Sequence, residues 1–273
     1  MSDVEPKARF RDLFAAEWTK LWSLRSTYGV LAGGALLVVG ICVNSARSNV
    51  ALIERSGNPE QRLAIDPLHA AFVVDAFHIF VIIAGVVGAA TVYGEYATGL
   101  ARTTFAAVPA RRAVVAAKAA VVSVVLLAFG AVVAGCSFGL TQAVYQQQRI
   151  GLSITDPGAL RAVTASALLA PVCGLVGMAL GALVRHTAGS VVAVVGVLAL
   201  LPRLFQGETY RWVKEIGNAM PVSAWQALVQ NPARPPFVPP RYPVSATEAW
   251  IVLAAWAVAA LAVAVTVVHR RDL

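Results

Sequence analysis

The sequence predicts an all-α membrane protein with six transmembrane helices, and three observations carry that expectation. Six long apolar stretches, at residues 28–45, 71–93, 119–145, 162–184, 187–201 and 250–268, are separated by charged or Pro-rich segments. Most reach or approach the about 20 residues that cross roughly 30 Å of hydrocarbon. Composition agrees: 58% of residues are hydrophobic and 13% charged, about half the charged share of a soluble domain, and mean hydropathy is +0.71. A backbone in lipid must also pair its own N–H and C=O groups, which makes spans of this length helices.

Subtracting six spans from 273 residues leaves loops, with no continuous polar segment large enough for an independent catalytic domain. The chain therefore reads as one transmembrane domain, 1–273. It has an N-terminal segment (1–27), five spans and their loops (28–201), a long outer segment (202–249) and a sixth span (250–268). Net charge is +8, from 22 Lys and Arg against 14 Asp and Glu. The basic residues gather at the ends of the apolar stretches, as an anionic lipid surface favours, rather than on a nucleic-acid face with interleaved aromatics. The lipid bilayer is the expected partner, and nucleic acid is not. Cys42, Cys136 and Cys173 all lie in apolar stretches without metal-ligand spacing and read as small packing residues. The first apolar run follows a mixed-charge segment, so it is expected to be retained as a span rather than cleaved.

With both termini in the cytoplasm, twelve of the 22 Lys and Arg fall on the inner side and ten outside, and the inner segments are shorter in total. This orientation gives two inner features, the N-terminal segment and the loop around 94–118. Outside, 207–216 and 222–230 can each form a short helix. The run 231–243 follows, with Pro at 232, 235, 236, 239, 240 and 243, which favours stiff polyproline or turn structure and a rigid outer cap.

In the N-terminal segment Phe10, Leu13, Phe14, Trp18, Leu21 and Trp22 recur at helical spacing, with Arg9, Asp12, Thr19 and Lys20 on the other side. Aromatic and basic residues together suit a helix in the inner membrane interface, against the alternative of an amphipathic helix packed on protein. Glu17 falls inside the apolar stripe, where a carboxylate needs a partner. Lys20, Arg25 or a cytoplasmic protein would supply it.

In the second inner feature Gly94 and Gly99 weaken helix propensity near the membrane exit. Thr98 can cap a short helix through about Ala107, and Pro109 stops it. From Ala110 the chain runs to Phe129 without Gly or Pro, so the third span is expected to begin as a projecting helix carrying Arg111, Arg112 and Lys118.

Two segments here resemble the ABC-2 type permease family of ATP-binding-cassette transporters, particularly its actinobacterial members. One is Glu95-Tyr96-Ala97-Thr98-Gly99 with Arg102-Thr103-Thr104, Val108-Pro109-Ala110-Arg111-Arg112 and Lys118. The other is Ala15, Glu17-Trp18-Thr19-Lys20-Leu21 and Ser23-Leu24-Arg25-Ser26-Thr27. Ala97 departs from the pattern, in which a basic residue is common. The resemblance implies a bacterial plasma-membrane exporter subunit that pairs with a second copy or a paralogue and is driven by a separate ATPase. It implies ATPase-coupling roles for Glu95, Thr98, Gly99, Arg102, Thr103 and Thr104. It also implies an interfacial helix bearing Glu17, Trp18, Lys20 and Arg25 beside the ATPase. A phosphate-binding loop needs a Gly-Lys pair, and these 273 residues contain none. ATP and Mg are thus expected on the partner, no cofactor or metal in this chain, and no enzyme activity of its own.

Three further features are weighed. Asp75 and His78 lie three apart near the outer end of the second span, either as a polar intramembrane pair with a function or as a hydrated pair at the rim. Gly135-Cys136-Ser137-Phe138-Gly139 matches the Gly-x-Ser-x-Gly pattern of hydrolases, but inside an apolar helix it reads as chance. Gly135/Gly139 and Gly177/Gly181 read better as small surfaces for close helix contact, and Pro171 as a kink in the fourth span. The expected function is ATP-driven export of a hydrophobic or amphipathic cargo such as a drug, peptide or lipid-like molecule. The alternatives are a scaffold or sensor that recruits a cytoplasmic partner, and an ion-coupled secondary transporter.

Overall fold

A computed structural model describes residues 9–23, 25–56, 64–99, 110–234 and 240–270. Among the described residues all regular structure is helical, and six helices are long and apolar enough to cross a membrane. The chain opens with α1 (Phe10–Ser23), followed by α2 (Arg25–Ser56), a single turn α3 (Pro67–Ala70) and α4 (Val74–Thr98). Next come α5 (Arg111–Gln146), α6 (Ala159–Val184) and α7 (Thr187–Leu204), then the short α8 (Arg211–Asn218) and α9 (Pro221–Leu228), and α10 (Ala246–Arg270). Within α7 one turn, Gly196–Leu200, is π-helical. The candidate spans are α2, α4, α5, α6, α7 and α10.

Five of the six expected apolar stretches lie wholly in these helices, while the stretch 71–93 begins three residues before α4, and several helices outrun the stretches. α2 continues to Ser56 because its polar end still packs: Ala46 and Val50 bury against Tyr145, whose hydroxyl accepts from Asn49 Nδ2 at 3.0 Å. α5, at 36 residues, is about 54 Å long and overshoots the hydrocarbon. It begins at Arg111, as a projecting third span requires. α3 was not foreseen, although Asp66-Pro67 marks its start: the Asp66 carboxylate accepts from the Leu68 N–H at 3.0 Å, and proline suits the first helical position.

α6 is the hub, packed against α4, α5, α9 and α10, and glycine sets its closest approaches. A Cβ on Gly88 of α4 would strike the Gly174 carbonyl oxygen, and one on Gly177 would strike that of Gly85. Gly181 is similarly close to Ala89. The expected contact at Gly177/Gly181 is therefore present. Gly135 and Gly139 instead meet no atom within 4 Å, because that face of α5 points away from the bundle. Pro171 lies inside α6, which continues through it. Proline lacks the N–H that would pair with the Ala167 carbonyl four residues back. Gly130 of α5 presses on that same carbonyl oxygen, so the freed acceptor is covered by a neighbouring helix.

At the end opposite α1, an aromatic core joins Phe72, Phe77, Phe80, Phe129 and Phe138 to Trp225 of α9. Trp225 is fully buried, stacks 4.6 Å from Phe77 and donates its indole N–H to Ser166 Oγ at 2.9 Å. Arg161 holds the carbonyls of Leu228 and Gln230 at 3.0 and 2.6 Å, and Asn231 donates to Asp66 at 2.9 Å. The segment between α7 and α10 thus closes this end of the bundle. The middle of the Pro-rich run, 235–239, lies outside the described residues.

Candidate functional site

Four of the charged groups singled out in the sequence, Glu17, Lys20, Glu95 and Lys118, meet at the end of the bundle that carries α1. On α1 the buried positions are Leu13, Glu17 and Leu21, four apart, so they form one stripe. Leu13 packs with Val114 and Ala117 of α5, and Glu17, between the two leucines, is carried into protein with them at 5% exposure. Its partners come from two elements. Lys20, one turn on, donates to Glu17 Oε1 at 2.7 Å, and Lys118 of α5 donates to Glu17 Oε2. Both ammoniums also reach Glu95 Oε1 of α4, at 2.9 Å from Lys20 and 3.0 Å from Lys118.

Two carboxylates and two ammoniums from three helices thus form one neutral network. Lys118 is 8% exposed and Glu95 14%, while Lys20 at 36% faces out. Burial alone would push the Glu17 carboxyl up, but the ammonium of Lys118, followed by that of Lys20, outweighs it and holds the group below its usual range. Burial opposes charge on Lys20 as well, and its hydrogen bonds to Glu17 and Glu95 override this and raise it. The sequence placed Glu17 and named Lys20 as a partner. Lys118 was the partner missed. A lone lysine inside an Ala/Val run was the available signal, since an ionisable group there needs a counter-charge.

Trp18 lies on another face of α1, 38% exposed, with ring contacts to Phe14 at 6.0 Å and Trp22 at 5.9 Å. The stripe expected as one surface is therefore two. Leu13 and Leu21 pack on the bundle with Glu17 between them, while Phe10 and Trp18 point outward. Arg25 opens α2.

The loop after α4 departs from the expected capping. Gly94 does not interrupt α4, and Thr98 is its last helical residue rather than the start of a new helix. Gly99 ends it in the left-handed region at φ 74°, which glycine adopts without the penalty a Cβ imposes. Arg102, Thr103 and Thr104 lie outside the described residues. Beside the loop, the Arg185 guanidinium lies 4.7 Å over the Tyr96 ring.

At the other end Asp75 and His78 take separate partners. Asp75 is exposed and pairs with Arg203 at 3.2 Å, while His78 is buried and donates from Nδ1 to the Val74 carbonyl at 2.9 Å. His78 Nε2 is buried without a hydrogen-bond partner among the described residues. An i, i+3 spacing allowed a shared face, but the helix turns one group to the rim and the other inward. Ser137 of the Gly-x-Ser-x-Gly match is fully buried within α5, without the exposed turn a nucleophile needs. Cys42 and Cys173 are buried as packing residues should be, but Cys136 is exposed, and all three are free thiols. Among the described residues no group of three or more His, Cys, Asp or Glu gathers as a metal site.

Comparison with known proteins adds nothing to this geometry: no family model and no curated protein sequence matches the chain.

Proposed function

We propose that the chain is the permease subunit of an ATP-driven exporter of the ABC-2 type, moving a hydrophobic or amphipathic cargo across a bacterial plasma membrane. One observation supports this reading above the rest. The two segments that resemble the family are far apart in sequence, yet Glu17 and Lys20 of one meet Glu95 and Lys118 of the other in a single buried network. In that reading this end faces the cytoplasm, where a separate ATPase holding ATP and Mg docks on the loop 98–107. α1 lies in the inner interface with Trp18 toward the headgroups, and a second permease copy or paralogue completes the pathway.

Mechanistically, ATP binding favours one of two packed arrangements through its differential contacts, and the loop passes that bias to the spans. The network joins the loop's two borders to α1, so a push on the loop moves α4, α5 and α1 together.

The test is co-expression and co-purification with a candidate ABC-type ATPase subunit, followed by measurement of transport-linked ATP hydrolysis. Replacing Arg102 and Glu95 together (Arg102→Ala, Glu95→Gln) is expected to lower complex recovery and coupled hydrolysis about tenfold or more, a loss of at least roughly 1.4 kcal/mol of contact energy. Full retention of both overturns the assignment. A partner bound without any ATP-dependent transport would point instead to a scaffold.

A further inference from the structure

Beside the charge network, between α1, α2, α4 and α5, lies an open cleft of about 440 Å³. That volume is within the roughly 300–1,000 Å³ usual for small-ligand sites. Its wall changes character along the bundle axis. At the α1 end it presents Glu17, Lys20, Glu95 and Lys118, joined by Ser23 and Ser26. Farther in it is apolar, lined by Val30, Val86, Ala90 and Val121. Val86 lies nine residues before Glu95 on α4, about 13 Å deeper at 1.5 Å per residue. Val30 is 43% exposed, so the cleft opens on the outer surface of the bundle.

A charged end at the level where the spans leave the membrane, continuous with an apolar trough running inward, matches one shape of molecule: an amphiphile standing in the adjoining leaflet. The charges narrow the class. Two carboxylates and two ammoniums sum to zero, which suits a head carrying both signs rather than a purely anionic one. Each carboxylate accepts up to about four hydrogen bonds, and the Lys20 side chain is 36% exposed, so the network keeps capacity for a ligand. A primary ammonium donates three N–H bonds to carboxylates, which a quaternary one cannot.

We infer that this cleft binds a zwitterionic, ethanolamine-type phospholipid of the adjoining leaflet, with its ammonium toward Glu17 and Glu95, its phosphate toward Lys20 and its upper chain along Val30, Val86 and Val121. The inference rests on the membrane reading of the spans and not on the ATPase reading.

The test reconstitutes the full chain in nanodiscs doped with a photoactivatable phosphatidylethanolamine, or with a phosphatidylglycerol of identical chains, and maps the labelled peptides. The ethanolamine probe is expected to label residues 86–95 and 118–122 about fivefold more than the glycerol probe. Ala90→Phe, which fills the trough without touching a charge, is expected to remove that excess while leaving thermal unfolding unchanged. Equal labelling by the two probes overturns the inference, as does label spread over outward residues such as Leu36 and Val258, the mark of annular lipid only. So does an excess that survives Ala90→Phe in a folded protein. If Ala90→Phe does not fold, the comparison of the two probes on the unaltered chain decides. No ATPase is present, so the outcome is independent of the transport test.

Discussion

Lys118 sits where a lysine is hardest to keep. It lies seven residues into α5, about 10 Å from the helix start, with Ala117 and Ala119 beside it and only 8% of its side chain exposed. Removing one partner of a buried ion pair strands the other charge, typically at about 3–5 kcal/mol, whereas replacing the set by apolar groups of similar size is often neutral. Lys118→Met alone is therefore expected to destabilise the protein by roughly 3 kcal/mol. Lys118→Met combined with Glu17→Leu and Glu95→Leu should recover most of that loss. Thermal unfolding in detergent reads both, and a triple variant no better than the single one would show that the charges themselves are required.

The titration of the same groups has a definite sign. The Glu17 carboxyl is lowered from 4.5, so its contribution is full above that value and is lost as pH falls through the lowered one. Lys20 is raised from 10.5, so its contribution is full below that value and is lost as pH rises through the raised one. Attachment of α1 should thus be constant from about pH 5 to 10 and weaken in acid. A spin label at exposed Ala16, introduced as Ala16→Cys with Cys136 removed, should stay immobile across that window and gain mobility below it. Mobility that rises near neutral pH would contradict the pairing.

Among the elements, α4 and α6 approach closely enough that carbonyl oxygens occupy the space of a side chain. Gly88→Ala and Gly177→Ala are each expected to cost about 1–3 kcal/mol through forced separation. Gly135→Ala and Gly139→Ala, on the open face of α5, should be neutral or stabilising by up to about 1 kcal/mol from helix propensity alone. A thermal-unfolding series over the four variants checks the contrast. It also marks what the sequence could reveal. A Gly-x-x-x-Gly spacing says that two helices can touch, and it holds equally for 135/139 and 177/181. Which pair is used depends on the rotation of each helix in the bundle, and no single segment encodes that.

At the scale of the whole molecule the six spans were legible because hydrocarbon thickness imposes a length and lipid imposes an apolar surface, both readable by counting. The ends of the helices were less so. α2 runs eleven residues past its expected limit because Val50 and Ile53 still find a core, and α4 passes Gly94, with Glu95 held by Lys20 and Lys118 and Tyr96 covered by Arg185 just beyond it. The charge network was half legible: spacing within α1 exposed Glu17 and gave Lys20, whereas Glu95 and Lys118 come together only through the packing of α4 and α5 against α1.

Sidedness belongs to this scale too. Leu100→Cys in a chain lacking exposed Cys136 is expected to react with an impermeant thiol reagent in inside-out vesicles and not in intact cells. The reverse pattern would invert the proposed orientation and overturn the proposal that the loop docks an ATPase in the cytoplasm.

α5 reaches from one face of the molecule to the other without a proline. Near one end it holds Lys118. Twenty-four residues on, about 36 Å away, Gln142 donates to the Pro67 carbonyl at 2.9 Å and accepts from the Leu152 N–H at 2.8 Å. The same helix therefore carries a grip at each end, and packing against α6 along the length between them is what would let a disturbance at the lysine reach the glutamine.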